Sequence, residues 1–530
     1  MNSLYKKIVE KPIFLLLAFN IIIGLIVYRD FGLTWDEPYF YGYGDALGYA
    51  YSPAEWFSGH FDLYNSYGPS ADDHKTRGPA YLLLARNFVY GLKALGSDEA
   101  SAWHLVNFLF FQLGVYFLYR ISTRWMSSSA ALFASAFFSF QPMLWGHAFI
   151  NPKDPPFLTF FLASVCLGFE MVDSIVEDSR DKTKKLLLAA FVLGIATSIR
   201  VLAPLAGILA LIYFIVTANE MKKNSAWWSF IQYGLIAIVV MFVTWPFLWE
   251  SLFRNFADVF ILMSDNPTHL SVLFDGRVYS ASELPRRYLP VLLTISLTEP
   301  TWPLFGIGWV YGYWMLIKDR TANGKGKLVA LSLVFSSFLI VLAYVLLRKP
   351  AMYDGMRHFF FVLPPVFIFI GFAFEFLLEK ISLFLHTGKK WLYAGIGLVL
   401  ILPGIIGIYK LHPYEYAYYN SFVGGTDGAF RDYETDFWLT CYKEAVEEIN
   451  KLSTAPVTLF VYREAYVAAS YASDRINVQD LRNRHDKFQS GDHILVNSRT
   501  NEDRTTYVDV PNVMSVKRGE ATFCVVRQIP

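Results

Sequence analysis

Apolar runs of about 17–25 residues recur along the chain up to about residue 409, and this length spans a hydrocarbon core. We predict about eleven transmembrane helices, with about twelve or thirteen as the alternative. Two points leave the number open, the tight hairpin at Arg200 and the short apolar run 288–297. We expect that run to be interfacial or re-entrant; if it crosses the membrane, the topology after it inverts. The predicted spans lie near 12–28, 103–120, 130–147, 156–172, 186–199, 201–217, 228–248, 302–317, 328–347, 358–378 and 391–409.

Two long segments, 29–102 and 249–301, separate these runs on one side of the membrane. Within the first, residues 81–95 are apolar with Arg86 and Lys93 at helical spacing. This pattern predicts a helix that lies on the membrane surface.

From about residue 411 the composition becomes that of a soluble protein. A helix is predicted at 438–452, and strands at 457–462, 493–496 and 523–529. We therefore predict a polytopic α-helical membrane domain over 1–410, followed by a small α/β domain over 411–530.

The composition agrees with a membrane protein, because 54% of the residues are hydrophobic and only 17% are charged. A net charge of +1 without a basic stripe gives no indication of nucleic-acid binding. The first span lacks a small-residue cleavage site, so we expect it to be retained. Cys166 lies in an apolar span and is expected in the core. Cys441 and Cys524 could pair if their domain is exported, with buried thiols as the alternative.

Lys and Arg fall into alternate connections, as the positive-inside rule requires of cytoplasmic loops. This pattern predicts an integral membrane protein with a cytoplasmic N-terminus and an extracytoplasmic C-terminal domain. The cations that set this orientation are Lys6, Lys7, Lys11, Arg124, Arg180, Lys182, Lys184, Lys185, Lys222, Lys223, Lys318, Arg320, Lys325, Lys327, Lys380, Lys389 and Lys390.

A second group of cations lies on the opposite, outer side, where short connections normally exclude them. Such cations are costly beside lipid unless an anion pairs with them. They could pair with the outer acids, or they could bind an anionic substrate such as a lipid phosphate or pyrophosphate. This group comprises Lys75, Arg77, Lys153, Arg200, Arg286, Arg287, Arg348, Lys349, Arg357 and His358.

Carboxylates beside a phosphate-binding cluster indicate group transfer. The cations would stabilise the charge on a leaving phosphate, and the acceptor hydroxyl or amine would need a base. Asp36 is the first candidate for the base and Glu37 the second, with Asp154 as a supporting ligand or second acid. Trp35, Tyr39, His147 and Glu299 are candidates for sugar or acceptor contacts, and structural or interfacial roles are their alternative.

Three motifs together resemble the GT-C glycosyltransferases: Thr34-Trp35-Asp36-Glu37, Pro152-Lys153-Asp154-Pro155 and Arg357-His358. With the segments 418–425 and 433–438, the chain is most similar to the group containing the protein O-mannosyltransferases and the bacterial lipid A aminoarabinose transferase, in glycosyltransferase family 39 and its relatives. The resemblance implies a GT-C-like fold, a polyprenyl-phosphate sugar donor, inversion at the anomeric carbon and a site at the outer face of a bacterial inner membrane.

By position, the resemblance makes Asp36 the presumed base, and Lys75 or Arg77 the counterpart of a Lys-Pro-Pro-like element. The sequence here reads Lys-Thr-Arg-Gly-Pro, so both cations remain candidates. No cofactor is certain. Some GT-C enzymes use a divalent metal, for which Asp36 and Asp154, with Glu37 and His147, would be the ligands.

We therefore predict a membrane glycosyltransferase that moves a sugar from a lipid-linked donor to a lipid, glycan or protein acceptor. The alternatives are a transporter or flippase for a lipid-linked glycan or other amphiphile, and a glycan-binding scaffold. A transporter should place ionisable groups near the bilayer midplane. The predicted spans carry almost none in their central thirds, which favours chemistry at the surface.

Overall fold

A computed structural model describes residues 12–218, 220–264, 268–385, 390–483 and 488–530. Lys6, Lys7, Lys11 and Lys389, which contributed to the predicted orientation, lie outside these ranges. The helices are α1 Ile13–Val27, α2 Glu37–Ala50, α3 Pro53–Trp56, α4 Ala71–His74, α5 Ala80–Ala94, α6 Glu99–Ser122, α7 Ser128–Ser139, α8 Pro142–Ile150, α9 Asp154–Val176, α10 Lys182–Ile199, α11 Pro204–Thr217, α12 Glu220–Thr244, α13 Leu252–Ser264, α14 Tyr288–Ile295, α15 Thr301–Lys318, α16 Ala322–Arg348, α17 Pro364–Leu385, α18 Lys390–Leu411, α19 Gly425–Ala429, α20 Tyr442–Leu452 and α21 Ala465–Ala469.

The long apolar runs are helices, as predicted. Among the described residues, five helices are long and apolar enough to cross a membrane, and three shorter helices are apolar as well. The run at 288–297 contains α14, an eight-residue helix that is too short to span a bilayer.

Two predicted spans differ from the observed helices. The span 130–147 is broken between α7 and α8, because Pro142 cannot continue the helix before it and starts a new one. The span 358–378 begins only at Pro364, because Arg357–Val362 forms a 3-10 helix. Both differences place polar residues in turns that precede a helix.

The C-terminal part contains a five-stranded sheet, which confirms the predicted α/β domain. Its strands are β3 Val457–Val461, β4 Ile476–Asp480, β5 His493–Asn497, β6 Asn512–Arg518 and β7 Ala521–Gln528, in the order β4-β3-β5-β7-β6. The pairs β3–β4 and β3–β5 are parallel, and the two pairs that β7 makes are antiparallel. Helix α20 packs on β6 and β7.

The sequence missed β4 and β6, and also the hairpin of β1 Ser271–Phe274 and β2 Arg277–Ser280 in the second outer segment. The helix predicted at 438–452 begins at Tyr442 instead, because residues 436–441 form the turn that docks the domain.

One continuous hydrophobic core joins the membrane helices to the C-terminal domain, since Phe367 of α17 and Leu459 of β3 belong to the same buried cluster. Cys441 and Cys524 form a disulfide within the domain, and both are fully buried. The domain is therefore attached to one end of the membrane helices by a packed interface.

Candidate active site

The loop that carries the predicted base is fixed by its neighbour, Glu37. One Glu37 oxygen accepts a hydrogen bond from the Thr34 backbone N–H (2.7 Å) and the other from the Tyr41 hydroxyl (2.5 Å). His104 Nε2 lies 3.1 Å from the same carboxylate, and both side chains are fully buried. Glu37 therefore holds the start of α2, and the structure does not bring it to the cation cluster as a second base.

Asp36 lies at the N-terminal end of α2 and is half-buried. In the described part of the chain its carboxylate makes no hydrogen bond or ion pair. Burial raises the pKa of Asp36 above its usual value, although the nearby Arg357, Arg77 and Lys153 oppose that shift. An unpaired carboxylate with a raised pKa can take a proton from an acceptor.

Lys153 lies in the turn between α8 and α9, which Asn151 shapes. The Asn151 side-chain oxygen accepts hydrogen bonds from the backbone N–H groups of Lys153 (3.1 Å) and Asp154 (3.0 Å). The Lys153 ammonium lies 5.9 Å from the ring centre of Phe40 and has no ion-pair partner among the described residues. Burial, with Arg77, Arg200 and Arg357 nearby, lowers the pKa of Lys153 well below its usual value. The described part of the site thus holds a lysine that lacks an anion partner.

Asp154 joins two arginines from distant parts of the chain. One of its oxygens pairs with Arg200, and the other accepts from Arg357 Nη1 (3.0 Å) and from Asn151 Nδ2 (2.9 Å). Asp154 is 2% exposed, and both of its oxygens are occupied. It therefore orients the two guanidinium groups and is not free to act as a second acid.

Of the two cations in the first outer loop, Arg77 belongs to the cluster. It pairs with Asp73 (2.9 Å), and its charge acts on Asp36 and Lys153. Lys75 instead pairs with the exposed Asp72 (3.1 Å). Gly78 allows this loop to reach the end of α10, since a Cβ at that position would lie 1.7 Å from the carbonyl oxygen of Ser198.

His358 completes the group of predicted phosphate ligands. It follows Arg357 in the 3-10 helix, and its ring packs edge-on against Tyr353 with 5.0 Å between ring centres. Burial and the charges of the surrounding cations lower the pKa of His358 well below its usual value. The imidazole is therefore neutral near pH 7 and can donate one hydrogen bond.

The candidates for sugar or acceptor contacts are dispersed. Trp35 packs under the guanidinium of Arg499 (4.5 Å), and Tyr39 stacks on His74 (5.8 Å) beside the loop that carries Arg77. His147 is enclosed by aromatic rings, and Glu299 accepts from a backbone N–H in the C-terminal segment (2.8 Å). Trp35 and Tyr39 border the site, whereas no described contact links His147 or Glu299 to Asp36.

The structure adds Asp354 and Arg499, which the sequence did not single out as site residues. Asp354 accepts from Arg357 (3.0 Å) and from the indole of Trp438 (3.0 Å), and it pairs with Arg499 (2.8 Å). The Asp354-Gly355 turn just before Arg357 is a local signal for the first of them. Nothing in the sequence indicates Arg499, because its contacts depend on the docking of the C-terminal domain.

The residues predicted to bind a divalent metal do not fit one. Asp154 already binds two arginines, which leaves Asp36 as the single available carboxylate beside three cations. Across the described ranges, no group of three or more His, Cys, Asp or Glu side chains could hold a metal ion.

An apolar groove of about 640 Å³ lies beside the site among α10, α11, α12 and α13. Thr197, one turn before Arg200, lines it together with Leu211, Trp227 and Phe256. The groove therefore runs along the lipid-facing helices toward the end of α10 that carries an arginine of the cluster.

The chain is similar to known proteins in part of its sequence and in its fold. Residues 83–249 match the family model described as dolichyl-phosphate-mannose-protein mannosyltransferase. Among solved structures, the oligosaccharyltransferase of Archaeoglobus fulgidus tethered with an acceptor peptide containing the NVT sequon has a TM-score of 0.51 and 10% identity, covering 94% of this chain and 70% of that chain. Its complex with an inhibitory peptide and a dolichol-phosphate has a TM-score of 0.50 and 10% identity, covering 88% and 64%.

ArnT from Cupriavidus metallidurans, bound to undecaprenyl phosphate, has a TM-score of 0.47 and 12% identity, and covers 96% of this chain and 97% of that one. No curated protein matches the chain significantly. This chain spans 64% of the archaeal enzyme's length in the dolichol-phosphate complex. The resemblance to GT-C glycosyltransferases is confirmed. The archaeal structures confirm it for the fold, and the family model confirms it for residues 83–249. These relatives are glycosyltransferases, the class of enzyme predicted for this chain.

Proposed function

We propose that this protein is a membrane glycosyltransferase that moves a sugar from a polyprenyl-phosphate donor to an acceptor on the extracytoplasmic side. The observation that carries the proposal is the pair Asp36 and Lys153. Both side chains lie near Arg77 and Arg357, yet neither has an ion-pair partner within the described ranges. A donor phosphate would pair with the lysine, and an acceptor would occupy the carboxylate.

The donor phosphate would bind where the cations converge. Lys153 has no competing anion among the described residues, and Arg77, Arg200 and Arg357 surround it. A bound phosphate would favour the charged form of the lysine. Asp154 fixes Arg200 and Arg357 before the donor arrives, so little side-chain entropy is lost on binding. The neutral His358 would donate one further hydrogen bond.

The lipid part of the donor would lie in the apolar groove beside α10. The groove begins one turn from Arg200, so a polyprenyl chain in it would carry its phosphate to the cluster. The archaeal relative in complex with a dolichol-phosphate supports a lipid phosphate as the ligand.

The reaction would be a single displacement with inversion. Asp36 takes the proton from the acceptor hydroxyl or amine as that group forms a bond to the anomeric carbon. The bond between this carbon and the phosphate oxygen breaks, and polyprenyl phosphate leaves with its charge stabilised by the cations. No step requires a metal.

The orientation predicted from the loop cations supports this location of the reaction. With the N-terminus in the cytoplasm, the cluster and the C-terminal domain are both extracytoplasmic, in a bacterial inner membrane. The disulfide Cys441–Cys524 supports this side, because such bonds persist in oxidising compartments.

A direct test uses purified protein in lipid nanodiscs with radiolabelled polyprenyl-phosphate sugars and a panel of protein, lipid A and glycan acceptors. A glycosyltransferase releases polyprenyl phosphate and labels an acceptor. A flippase moves the intact donor between leaflets of a proteoliposome without breaking it, and that result would overturn the proposal.

A further inference from the structure

Arg499 is a buried cation of the C-terminal domain, in the segment that follows β5. It is 1% exposed, and it donates to the Phe437 carbonyl (2.8 Å), pairs with Asp354 (2.8 Å) and lies 3.3 Å from Glu434. A guanidinium that is removed from water needs such partners, because its desolvation is costly. Arg499 is therefore held firmly in one position.

Through Asp354, Arg499 reaches the phosphate-binding cluster. One Asp354 oxygen pairs with Arg499 and the other accepts from Arg357 Nη2 (3.0 Å). Arg357 in turn donates to Asp154, which also binds Arg200. Positive and negative groups thus alternate from the C-terminal domain to the end of α10.

Arg499 also touches the loop that carries the proposed base. Its guanidinium carbon lies 4.5 Å from the ring centre of Trp35, the residue before Asp36. A second group of the same domain, the Tyr466 hydroxyl, donates to the Trp35 carbonyl (2.7 Å). The C-terminal domain therefore contacts both the side chain and the backbone of this position.

We propose that Arg499 is a positioning residue of the transfer reaction: it orients Arg357 through Asp354, and it holds Trp35 so that Asp36 points at the acceptor. This inference rests on the proposed function. The C-terminal domain is then a part of the active site, although its chain segment is remote from the outer-loop motifs.

The contact of Arg499 with Asp354 and its contact with Trp35 can be separated by substitution. In Arg499→Lys, a compact ammonium can still pair with Asp354 but cannot stack flat on the indole of Trp35. In Arg499→Met both contacts are lost. Arg527→Met is the matched control, because Arg527 is 4% exposed in the same domain and bonds the carbonyls of Tyr507 (2.7 Å) and Asp503 (2.5 Å) instead.

The test measures kcat for sugar transfer, the Kd for undecaprenyl phosphate and the Tm of the full-length variants in nanodiscs. For Arg499→Lys we expect kcat to fall about tenfold or more with little change in Kd, because a small misplacement of a catalytic group has large kinetic effects. For Arg499→Met we expect a larger fall in kcat and a weaker Kd. Arg527→Met should lower Tm with kcat and Kd near the wild-type values.

Equal kcat in Arg499→Met and Arg527→Met, at matched loss of Tm, would show that Arg499 is merely structural and would overturn the inference. An active wild type with an unaffected Arg499→Met would do the same while leaving the proposed function intact. A wild type that transfers no sugar from any donor would instead overturn the proposed function and this inference with it.

Discussion

Arg357 donates a 3.0 Å hydrogen bond to Asp154, a residue 203 positions earlier in the chain. This contact joins the 3-10 helix before α17 to the first residue of α9, so that two of the predicted motifs come together. Because this bond is buried and the other oxygen of Asp154 pairs with Arg200, Asp154 fixes the positions of both guanidinium groups. The site thus contains charges that are paired within the protein, such as Asp154 and Arg357, and groups without an ion-pair partner among the described residues, such as Lys153.

Replacing Lys153 should separate stability from function. In Lys153→Met a half-buried lysine that has no anion partner in the described ranges is removed, so we expect Tm to stay equal or to rise. The same variant should bind undecaprenyl phosphate about 10–100-fold more weakly, because a charge-assisted contact is lost. Thermal unfolding and lipid titration of the purified protein measure both quantities.

The matched control is Lys75→Met, which removes a lysine from the first outer loop. Its ion pair with the exposed Asp72 should contribute little, so both quantities should stay near those of the wild type. If both variants bound undecaprenyl phosphate equally weakly, the lipid would be bound by the general positive charge of this face and not by the cation cluster.

Breaking the Asp154 pairs should destabilise the fold itself. In Asp154→Asn, Arg200 loses its anion and Arg357 keeps only Asp354, and we expect a loss of about 3–5 kcal/mol in the free energy of unfolding. Denaturant unfolding of the purified protein checks this value. A variant as stable as the wild type would contradict the role assigned to Asp154.

Glu434 predicts a pH dependence of stability. Burial, although Arg499 opposes it, raises the pKa of Glu434 to about 8 in the folded protein. The folded state therefore holds a proton that the unfolded state has released above its ordinary pKa, so the stabilising contribution is lost as pH rises from about 4.5 to about 8. Glu434→Gln should have a flatter Tm profile over this interval, and a profile parallel to that of the wild type would refute the assignment.

The disulfide provides a test of the domain's stability and of the cysteine pairing. It closes a loop with a sequence separation of 83. Its reduction should lower the free energy of unfolding of the C-terminal domain by about 2–5 kcal/mol. Maleimide labelling of denatured membranes should modify Cys441 and Cys524 only after treatment with dithiothreitol. Because Cys166 is a free thiol, the experiment uses a Cys166→Ser background, and labelling of Cys441 or Cys524 without the reductant would contradict the pairing.

The sequence predicted the fold class because long apolar runs and a change of composition at about residue 411 are strong local signals. It missed the break between α7 and α8, since apolar residues flank Gln141 and Pro142 on both sides. It also missed β4 and β6, whose residues are mostly exposed or half-buried and show no clear alternation.

The structure brings together loops that the charge pattern identified, but the contacts within the site include several that the sequence did not predict. Asp36, Lys153 and Arg357 do converge, because they belong to outer turns that the charge pattern identified. The sequence ranked Asp36 before Glu37 as the base, but only the fold shows that Glu37 faces His104. The contribution of Arg499 depends on how the domains dock, which local patterns do not contain.

In the proposed function, Asp36 removes the acceptor proton at a site where the lipid phosphate already binds. The most direct measurement is transfer from a radiolabelled polyprenyl-phosphate sugar by the wild type and by Asp36→Asn, with the Kd for undecaprenyl phosphate measured in parallel and EDTA added to one series. We predict that Asp36→Asn lowers transfer about 100-fold or more with donor binding almost unchanged, because the amide keeps the volume but is no base. Normal transfer by Asp36→Asn would contradict the account.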